Sequence, residues 1–304
     1  MNPSQPVTVS VVIPCFNAAT YIHEAISSAL NQTYRPLEVL VIDDGSTDES
    51  AEVAASFGEP VRVIQQPNQG ESVARNRGID EARGDWIAFL DADDVWKPEK
   101  LERQIALIDD GVVCIHTAVF EFGSRQRVND VSLLPPEVRY DIENLSVKGL
   151  IHPSSALVRR SARGRFPTWT QYSEDQFYFL DLVREGEIRM VAAPLSGHRN
   201  HAANQSSMAD IEVHRHQAIL EWLDRNSCQL SERQVANIRR RRHDGLVYEA
   251  VAALAIGRMD TFRRIRRYAL GHGPFMPAAC RVLCKAIGQQ TWALLSGRKV
   301  ILPY

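Results

Sequence analysis

The stretch Trp86–Leu101, with the sequence WIAFLDADDVWKPEKL, predicts the fold of this chain. Its first five residues are apolar, and three carboxylates follow within the next four positions. A short run that is apolar throughout is typical of a strand buried on both faces of a sheet. Pro98 suits the first turn of a following helix. We therefore expect Asp91, Asp93 and Asp94 just beyond the carboxyl end of a central strand, where open α/β sheets bind their ligands.

These three carboxylates have two interpretations. Acids so close together repel one another unless a cation or hydrogen-bond donors offset their charge. A strand end of this kind suits a hard divalent ion such as Mg²⁺ or Mn²⁺, held by carboxylates together with phosphate oxygens. Aspartate is also a good helix N-cap, so the same residues suit a solvated acidic turn. The stretch alone leaves both interpretations open.

Length and composition narrow the class of protein. With 304 residues, 44% of them hydrophobic, the chain can form one large domain, or one domain with a smaller appendage. No uninterrupted apolar run approaches the ~20 residues of a membrane span, and residues 1–6 lack the pattern of a secretory signal. The five cysteines form no CxxC pair, which favours reduced thiols in the cytosol over disulfides or a zinc site.

Charge divides the chain into two parts. Residues 210–304 contain 16 Lys and Arg and 8 Asp and Glu, a net charge of +8. Residues 1–209 contain 19 basic and 29 acidic residues, a net charge of −10. We therefore predict a catalytic domain over 1–209 and a basic, mainly helical region over 210–304, with different partners.

Strand and helix patterns alternate four times in the first hundred residues, which predicts a parallel sheet with right-handed crossovers. The predicted strands are Val7–Pro14, Leu37–Ile42, Val61–Gln65 and Trp86–Leu90. Polar residues follow each strand, namely Asn17, Asp43 with Asp44, Asn68, and Asp91 with Asp93. Because the carboxyl ends of parallel strands share one edge of the sheet, this pattern favours a ligand crevice. No dinucleotide fingerprint or P-loop motif occurs, so those two kinds of nucleotide site are disfavoured.

The pattern becomes less regular after residue 110. We predict a fifth strand over Val112–Ala118, an irregular segment over 120–150 and a further strand over Ile151–Val158. Met190–Pro194 is predicted as a short strand. His198–Ser206 is rich in hydrogen-bonding side chains, and its simplest interpretation is a solvated surface loop.

Two carboxylates open a predicted helix that begins at Ser173. Glu174 and Asp175 lie in its first turn, where the helix dipole favours ionised carboxylates. Capping explains one such acid but not obviously both. A functional role and a capping role therefore both stay open.

Several segments occur together in a combination that resembles the family 2 glycosyltransferases. They are Val9–Asn17, Asp43–Asp48, Asn68–Gly70, Ala74–Asn76, Leu90–Asp94, Ser173–Asp175 and His198–Ser206. The last of them resembles the family's Y-R-x-H-x-x-N-x-S segment, with His198 in place of the usual aromatic residue. The resemblance covers about residues 7–208 and is specific for the enzyme class rather than the substrate.

The resemblance implies an α/β chain with the GT-A fold, a mostly parallel central sheet flanked by helices, followed here by a C-terminal helical region. It also implies transfer of a sugar, with inversion, from a nucleotide-diphosphate donor to a hydroxyl of a glycan or lipid-linked acceptor. The donor-binding residues that it implies are Pro14, Phe16, Asn17, Asp43, Asp44, Asn68, Gly70, Arg75 and Asp91. Among them, Asp43 would accept a hydrogen bond from the base, and Asp91 would reach the ribose.

The resemblance further implies two sets of acids with different tasks. Asp93, with Asp91 and His201, would hold Mn²⁺ or Mg²⁺ at the diphosphate, where a cation offsets the charge of the leaving group. Asp175 would be the catalytic base, paired with Glu174, because an attacking hydroxyl must lose its proton. Asp94 is then assigned to the turn that leads into the helix of Pro98.

Two alternatives belong to other classes. A nucleotidyltransferase acting on a sugar phosphate would share a related sheet, but its glycine-rich, basic first loop is not provided by Cys15–Ala19. A non-catalytic family member is the other alternative, and the intact acids Asp91, Asp93 and Asp175 argue against it.

The C-terminal region has helical apolar spacing over Ile211–Leu223 and Val235–Ile256, together with runs of arginine. Such basic amphipathic segments suit an anionic membrane surface, which we expect for the last thirty residues. Helices packed as an appendage are the alternative, and we expect this for 211–256. Nucleic acid is disfavoured as a partner because the catalytic half is acidic. The cysteine pattern and the basic tail predict a cytoplasmic protein, peripheral at the inner face of the cell membrane, and the resemblance implies a role in bacterial surface polysaccharide synthesis.

Overall fold

A computed structural model describes residues 6–124, 127–129, 140–147, 149–201, 211–255 and 257–280. The chain divides into two compact units, Met1–Asn204 and Gln205–Tyr304. The predicted boundary between residues 209 and 210 falls within 202–210, outside the described residues, and stays a prediction.

Four parallel strands form the first half of the sheet. They are β1 (Val9–Cys15), β2 (Glu38–Asp43), β3 (Val61–Gln65) and β4 (Trp86–Phe89). Their order is β3-β2-β1-β4, and all three pairings between neighbours are parallel. Every residue of β1, β2 and β4 is buried, because apolar side chains occupy both faces of these central strands. All four strands therefore lie where the alternating sequence pattern predicts them.

Helices join these strands, namely α1 (Ile22–Leu30), α2 (Ser50–Ala55) and α3 (Glu71–Glu81). Helix α1 contributes its buried face to the same apolar core as β1 and β2. Gly78 lets α3 approach the sheet closely, because a Cβ atom there would lie 2.2 Å from Cγ1 of Val12. The long α3 helix is thereby held over the middle of β1.

The second half of the sheet is mainly antiparallel. Its strands are β5 (Val95–Trp96), β6 (Val112–Gly123), β7 (Arg127–Asn129), β8 (Leu157–Arg159) and β9 (Glu187–Asn200). The order continues from β4 as β8-β6-β9-β5, and β7 pairs with β6. Only the β6–β9 pairing is parallel in this half of the described sheet. The helices of this part are α4 (Lys100–Ile105), α5 (Ile142–Val147) and α6 (Glu174–Leu182).

Two predicted strands differ from the structure. The segment predicted as a strand over Ile151–Val158 contains a 3₁₀ turn at Pro153–Ser155 before β8 begins, consistent with a proline that cannot donate to a strand ladder. Strand β9 is much longer than the predicted Met190–Pro194, because the chain bulges beside Pro194 and then continues its pairing with β6. Residues 198–200 are therefore part of a strand and not of a surface loop; residues 202–206 lie outside the described part of the chain.

The second unit is helical in its described part, as predicted. It contains α7 (Ile211–Asn226), α8 (Glu232–Ala255) and α9 (Met259–Leu270). Helices α8 and α9 share an apolar core that includes Leu246, Ile265 and Phe275. No helix in the described ranges has both the length and the apolar character needed to cross a membrane. Membrane contact is predicted for the last thirty residues, of which 281–304 lie outside the described part of the chain.

Candidate active site

The end of β1 is joined to the loop that follows β2. Asn17 adopts a left-handed backbone conformation, with φ of 49°, which asparagine tolerates better than most residues. Its side-chain oxygen accepts a hydrogen bond from the Thr47 backbone N–H at 2.8 Å, and its own N–H donates to Ser46 Oγ at 2.9 Å. Phe16 is half exposed beside it, whereas Pro14 is buried within β1. Asn17 therefore fixes the two loops to each other.

Asp44 holds the loop that leads into α3. Its carboxylate accepts hydrogen bonds from Gln66 Nε2 at 2.7 Å, from the Gln69 N–H at 3.0 Å and from the Gly70 N–H at 2.8 Å. Gly70 has φ of 90°, a conformation that favours glycine, and it caps α3. The buried carboxylate of Asp44 thus shapes the loop, and Gly70 is placed by it.

Asp43 and Asn68 lie at the same edge of the sheet. Asp43 is buried and accepts a hydrogen bond from the Ser46 N–H at 3.3 Å. Asn68 is exposed and packs against Gly45, where a Cβ atom would lie 2.9 Å from the Asn68 backbone nitrogen. The polar ends of β1, β2 and β3 therefore meet in one region, as the parallel order requires.

Arg75 contacts both the end of β4, at Asp91, and the start of α6, at Glu174. It is almost fully buried, and its Nη2 donates to Asp91 Oδ1 at 2.8 Å and to Glu71. Its Nη1 lies 3.9 Å from Glu174 Oε1, and the guanidinium lies over the Phe166 ring. Three acids from three parts of the chain thus surround one guanidinium.

The charges around Arg75 shift the pKa values of its partners. Burial opposes ionisation of Asp91, but Arg75 together with His152 and His198 offsets this and lowers the pKa of Asp91 below its ordinary value. Burial, helped by the neighbouring Asp175, raises the pKa of Glu174 to about 7. Asp91 is therefore ionised at neutral pH, whereas Glu174 is partly protonated there. The environment separates the two acids into different protonation states.

Glu174 and Asp175 open α6 after an unusual residue. Ser173 has φ of 59°, a left-handed conformation that is uncommon for serine. The Asp175 carboxylate accepts a hydrogen bond from the N–H of the next residue, Gln176, at 2.7 Å. Through the contact between Glu174 and Arg75, the start of α6 reaches the end of β4. Distant parts of the sequence are therefore joined in one crevice.

Asp93 and His201 are directly paired. His201 Nε2 lies 2.8 Å from Asp93 Oδ2, and the histidine ring stacks on Tyr21. Both side chains are about one quarter exposed, with 27% for Asp93 and 24% for His201, so solvent reaches them. Burial and the charge of Asp94 raise the pKa of Asp93. A carboxylate oxygen and an imidazole nitrogen that meet at an accessible strand end fit a divalent cation such as Mn²⁺.

The predicted ligand Asp91 differs from Asp93. Its Oδ1 is occupied by Arg75, so contact with a cation would use Oδ2. Its backbone N–H donates to Ser154 Oγ at 3.0 Å, which fixes the turn after β4. Asp91 thus contacts Arg75 through its carboxylate and Ser154 through its backbone.

The side chain of Asp94 has a larger role than the predicted turn. The turn is present, since the Asp94 N–H donates to the Asp91 carbonyl oxygen at 3.0 Å. The fully buried Asp94 carboxylate also accepts hydrogen bonds from Ser154 Oγ at 2.6 Å and from the Arg199 N–H at 3.0 Å. His198 Nδ1 lies 3.3 Å from Asp94 Oδ1. Burial lowers the pKa of His198, but the contact with Asp94 prevails and raises it to about 9.

Three residues of this region, His152, Ser154 and Arg199, have no role predicted from the sequence. Arg199 joins β9 to the strand end, because its Nε donates to the Asp93 carbonyl oxygen at 2.8 Å and its Nη2 pairs with Glu24. The many polar side chains of His198–Ser206 could have indicated a site here, but this composition is also typical of a surface loop.

Strand-end acids, an accessible carboxylate–histidine pair and a second acid pair reached through Arg75 thus lie at one end of the sheet of an α/β fold. The profile of glycosyl transferase family 2 matches residues 10–165, about half of the chain. The chain belongs to this family. The predicted family and enzyme class, a glycosyltransferase, are thereby confirmed.

Bacterial relatives agree with this assignment. The glycosyltransferase RP339 of Rickettsia prowazekii is 32% identical over 212 residues, an alignment that spans 66% of this chain and 66% of that protein. The glycosyltransferase alr2836 of a Nostoc species is 32% identical over 217 residues, which are 66% of this chain and 67% of that protein.

Solved structures share the fold. The TarS fragment 1–349 of Staphylococcus aureus, in complex with UDP-GlcNAc, has a TM-score of 0.57 at 19% identity, covering 87% of this chain and 92% of TarS 1–349. The mannosyltransferase PcManGT of Pyrobaculum calidifontis, in complex with GDP-Man and Mn²⁺, has a TM-score of 0.56 at 17% identity. The match covers 92% of this chain and 88% of PcManGT. These GT-A glycosyltransferases confirm the predicted GT-A fold.

Proposed function

We propose that this chain transfers a sugar, with inversion and with the help of a divalent metal, from a nucleotide-diphosphate donor to an acceptor hydroxyl. The observation that carries the proposal is the position of Arg75 between Asp91 and Glu174. This contact brings the strand-end acids and the acid pair of α6 to one crevice. A donor-side group and an acceptor-side base have to meet in this way for direct transfer.

The donor would bind at the carboxyl ends of β1 to β4. The accessible Phe16 ring and the exposed Asn68 suit contacts to a nucleoside, and Asp43 remains our candidate for the base. The loops held by Asn17 and Asp44 are fixed by hydrogen bonds before any ligand arrives, which lowers the entropic cost of binding. Fold relatives in complex with UDP-GlcNAc and with GDP-Man support a nucleotide-sugar donor.

The donor diphosphate would lie against Asp93 and His201. These residues would hold Mn²⁺ or Mg²⁺, with Asp91 contributing through Oδ2 or through the ribose. When bound, the metal would offset the negative charge of the leaving diphosphate. Fold relatives whose structures contain Mn²⁺ support this choice of ion. The buried Arg75 would add a fixed positive charge to the same crevice.

Asp175 would remove the proton from the attacking hydroxyl. It opens α6 beside Glu174, whose contact with Arg75 brings this end of the helix to the donor acids. A carboxylate in hydrogen-bond reach of the acceptor can accept its proton as the bond to the sugar forms. Glu174 would hold the start of α6, and with it Asp175, near Arg75, because its Oε1 lies 3.9 Å from Arg75 Nη1.

The acceptor would be a glycan or a lipid-linked sugar, and the process would be bacterial surface polysaccharide synthesis. Glycosyltransferase relatives from bacteria support the bacterial part of this setting. The amphipathic helix α9 exposes Arg263, Arg264, Arg266 and Arg267, which suits peripheral contact with an anionic membrane face. The enzyme would then work on the cytoplasmic side, where nucleotide-sugars are available.

A thermal-shift screen of the full chain tests donor binding. UDP-, GDP- and dTDP-sugars are each added with and without Mn²⁺. We expect one nucleotide class to raise Tm, and the rise to depend on Mn²⁺, because a ligand that binds only the folded state stabilises it. Asp80→Asn, which changes an exposed acid at the far end of α3, is the control and should respond like wild type. The absence of any shift with every donor would contradict the proposal.

A further inference from the structure

A second group of possible metal ligands lies beside the donor site. Asp94, His152 and His198 each offer one ligand atom, and these three atoms lie within 4.8 Å of one another. They come from three separate parts of the fold: the turn after β4, the residue before the 3₁₀ turn, and β9. None of the three is among the residues that the sequence analysis assigns to the donor or its metal.

The distances suit a tetrahedral or octahedral ion. His198 Nδ1 lies 3.3 Å from Asp94 Oδ1, and His152 Nδ1 lies 3.8 Å from Asp94 Oδ2. Two ligand atoms bound 2.0–2.1 Å from one tetrahedral ion are about 3.3 Å apart. The two imidazole rings are near neighbours, with centroids 4.6 Å apart. Because all three ligand atoms lie within 4.8 Å of one another, side-chain adjustment on binding would bring them around one ion.

The carboxylate is held in place as a metal ligand usually is. Ser154 Oγ and the Arg199 N–H donate to its two oxygens, and both donors are neutral. The Arg199 guanidinium contacts the Asp93 carbonyl oxygen and Glu24 instead. Two imidazole nitrogens, His198 Nδ1 and His152 Nδ1, lie 3.3 and 3.8 Å from the buried Asp94 carboxylate. Outer hydrogen bonds of this kind orient ligands and tune a site.

The exposure of the group provides a route for an ion. Asp94 is completely buried, whereas the side chains of His152 and His198 are 28% and 25% exposed. An ion could thus arrive from solvent on the histidine side and keep an open position there. Three protein ligands with one open position are the usual arrangement of a non-structural zinc site.

We propose that Asp94, His152 and His198 form a site for a divalent transition-metal ion of the zinc class, separate from the donor metal at Asp93. Two imidazoles and one carboxylate prefer Zn²⁺ or Co²⁺, whereas a site completed by diphosphate oxygens suits Mg²⁺ or Mn²⁺. The proposed site needs no nucleotide, because its three protein ligands all come from the chain. It goes beyond the proposed sugar transfer, and neither depends on the other.

Titration of the full chain with Co²⁺, without nucleotide, tests the site through the visible d–d absorption of the bound ion. We expect one equivalent to bind and Zn²⁺ to displace it. His198→Phe, which introduces the aromatic residue typical of the resembling segment, and His152→Ala should each weaken binding by at least about 100-fold. Asp93→Asn and His201→Phe are the matched controls, and both should bind Co²⁺ as wild type does.

Three results would overturn the site. One is the absence of Co²⁺ binding to folded wild-type protein, and another is wild-type affinity in the double variant His152→Ala/His198→Phe. The third is loss of Co²⁺ binding in Asp93→Asn, because the ion would then occupy the donor-metal position. Circular dichroism confirms folding of each variant. The thermal shift with nucleotide and Mn²⁺ is read separately, so failure of this site and failure of the donor proposal are distinguishable.

Discussion

The almost fully buried Arg75 guanidinium donates to the largely buried Asp91 carboxylate at 2.8 Å at the end of β4. The same cation lies 3.9 Å from Glu174, which is 99 residues further along the chain. A buried ion pair is costly to form and costly to break from one side. Its presence here links the strand-end acids to the acid pair of α6.

Replacing Arg75 by methionine should destabilise the protein strongly. Asp91, Glu71 and Glu174 would lose their shared cation, and breaking a buried pair from one side costs about 3–5 kcal/mol. Urea denaturation measures the loss in free energy of unfolding. Arg77→Met is the control, because Arg77 is half exposed in its pair with Glu81 and should cost no more than about 1 kcal/mol. Equal effects of the two substitutions would contradict this account of Arg75.

The pH dependence of stability should report on Glu174. Its pKa is raised from 4.5 to about 7 in the folded chain, so the folded state binds more protons than the unfolded state between these values. The free energy of unfolding contributed by Glu174 is therefore highest at low pH and falls as pH rises through this window. Glu174→Gln should flatten this decline in denaturation experiments at several pH values. A slope identical to that of wild type would show that Glu174 ionises normally.

A packing variant tests how α3 is held over the sheet. In Gly78→Ala, the new Cβ would lie 2.2 Å from a Val12 methyl group, so the helix has to move away. Overpacking of this kind typically costs about 1–3 kcal/mol, measurable as a lower urea midpoint. Gly111→Ala introduces a Cβ with no atom within 4 Å and should leave the midpoint close to wild type. If Gly78→Ala and Gly111→Ala had the same urea midpoint, α3 would not approach Val12 of β1 as closely as described.

The donor metal can be tested at Asp93. Asp93→Asn removes the charge but preserves the size of the side chain that pairs with His201. We expect nucleotide-diphosphate binding to lose its dependence on Mn²⁺ and to weaken, measured by calorimetry with and without the metal. Asp80→Asn again serves as the matched control. A Mn²⁺ effect of wild-type size in Asp93→Asn would remove Asp93 from the metal site.

The features predicted correctly from the sequence depend on local patterns, whereas the missed ones depend on contacts between distant residues. The strands β1 to β4 are continuous apolar runs with polar ends, so local pattern alone locates them and their shared edge. The contacts of Asp94 join it to Ser154 and Arg199, which lie 60 and 105 residues away, and no local pattern encodes such a pairing. Strand β9 was cut short in the prediction because Pro194 normally ends a ladder, whereas here a bulge accommodates it.

The most direct measurement of the central proposal is release of nucleoside diphosphate from the bound sugar donor by wild type and by Asp175→Asn. Loss of a catalytic base typically slows a reaction by about 10²–10⁴-fold. We predict a decrease in this range with unchanged donor affinity, because Asp175 acts on the acceptor side. Glu174→Gln is measured beside it to separate the two acids. Donor turnover by Asp175→Asn at the wild-type rate would contradict the proposed mechanism.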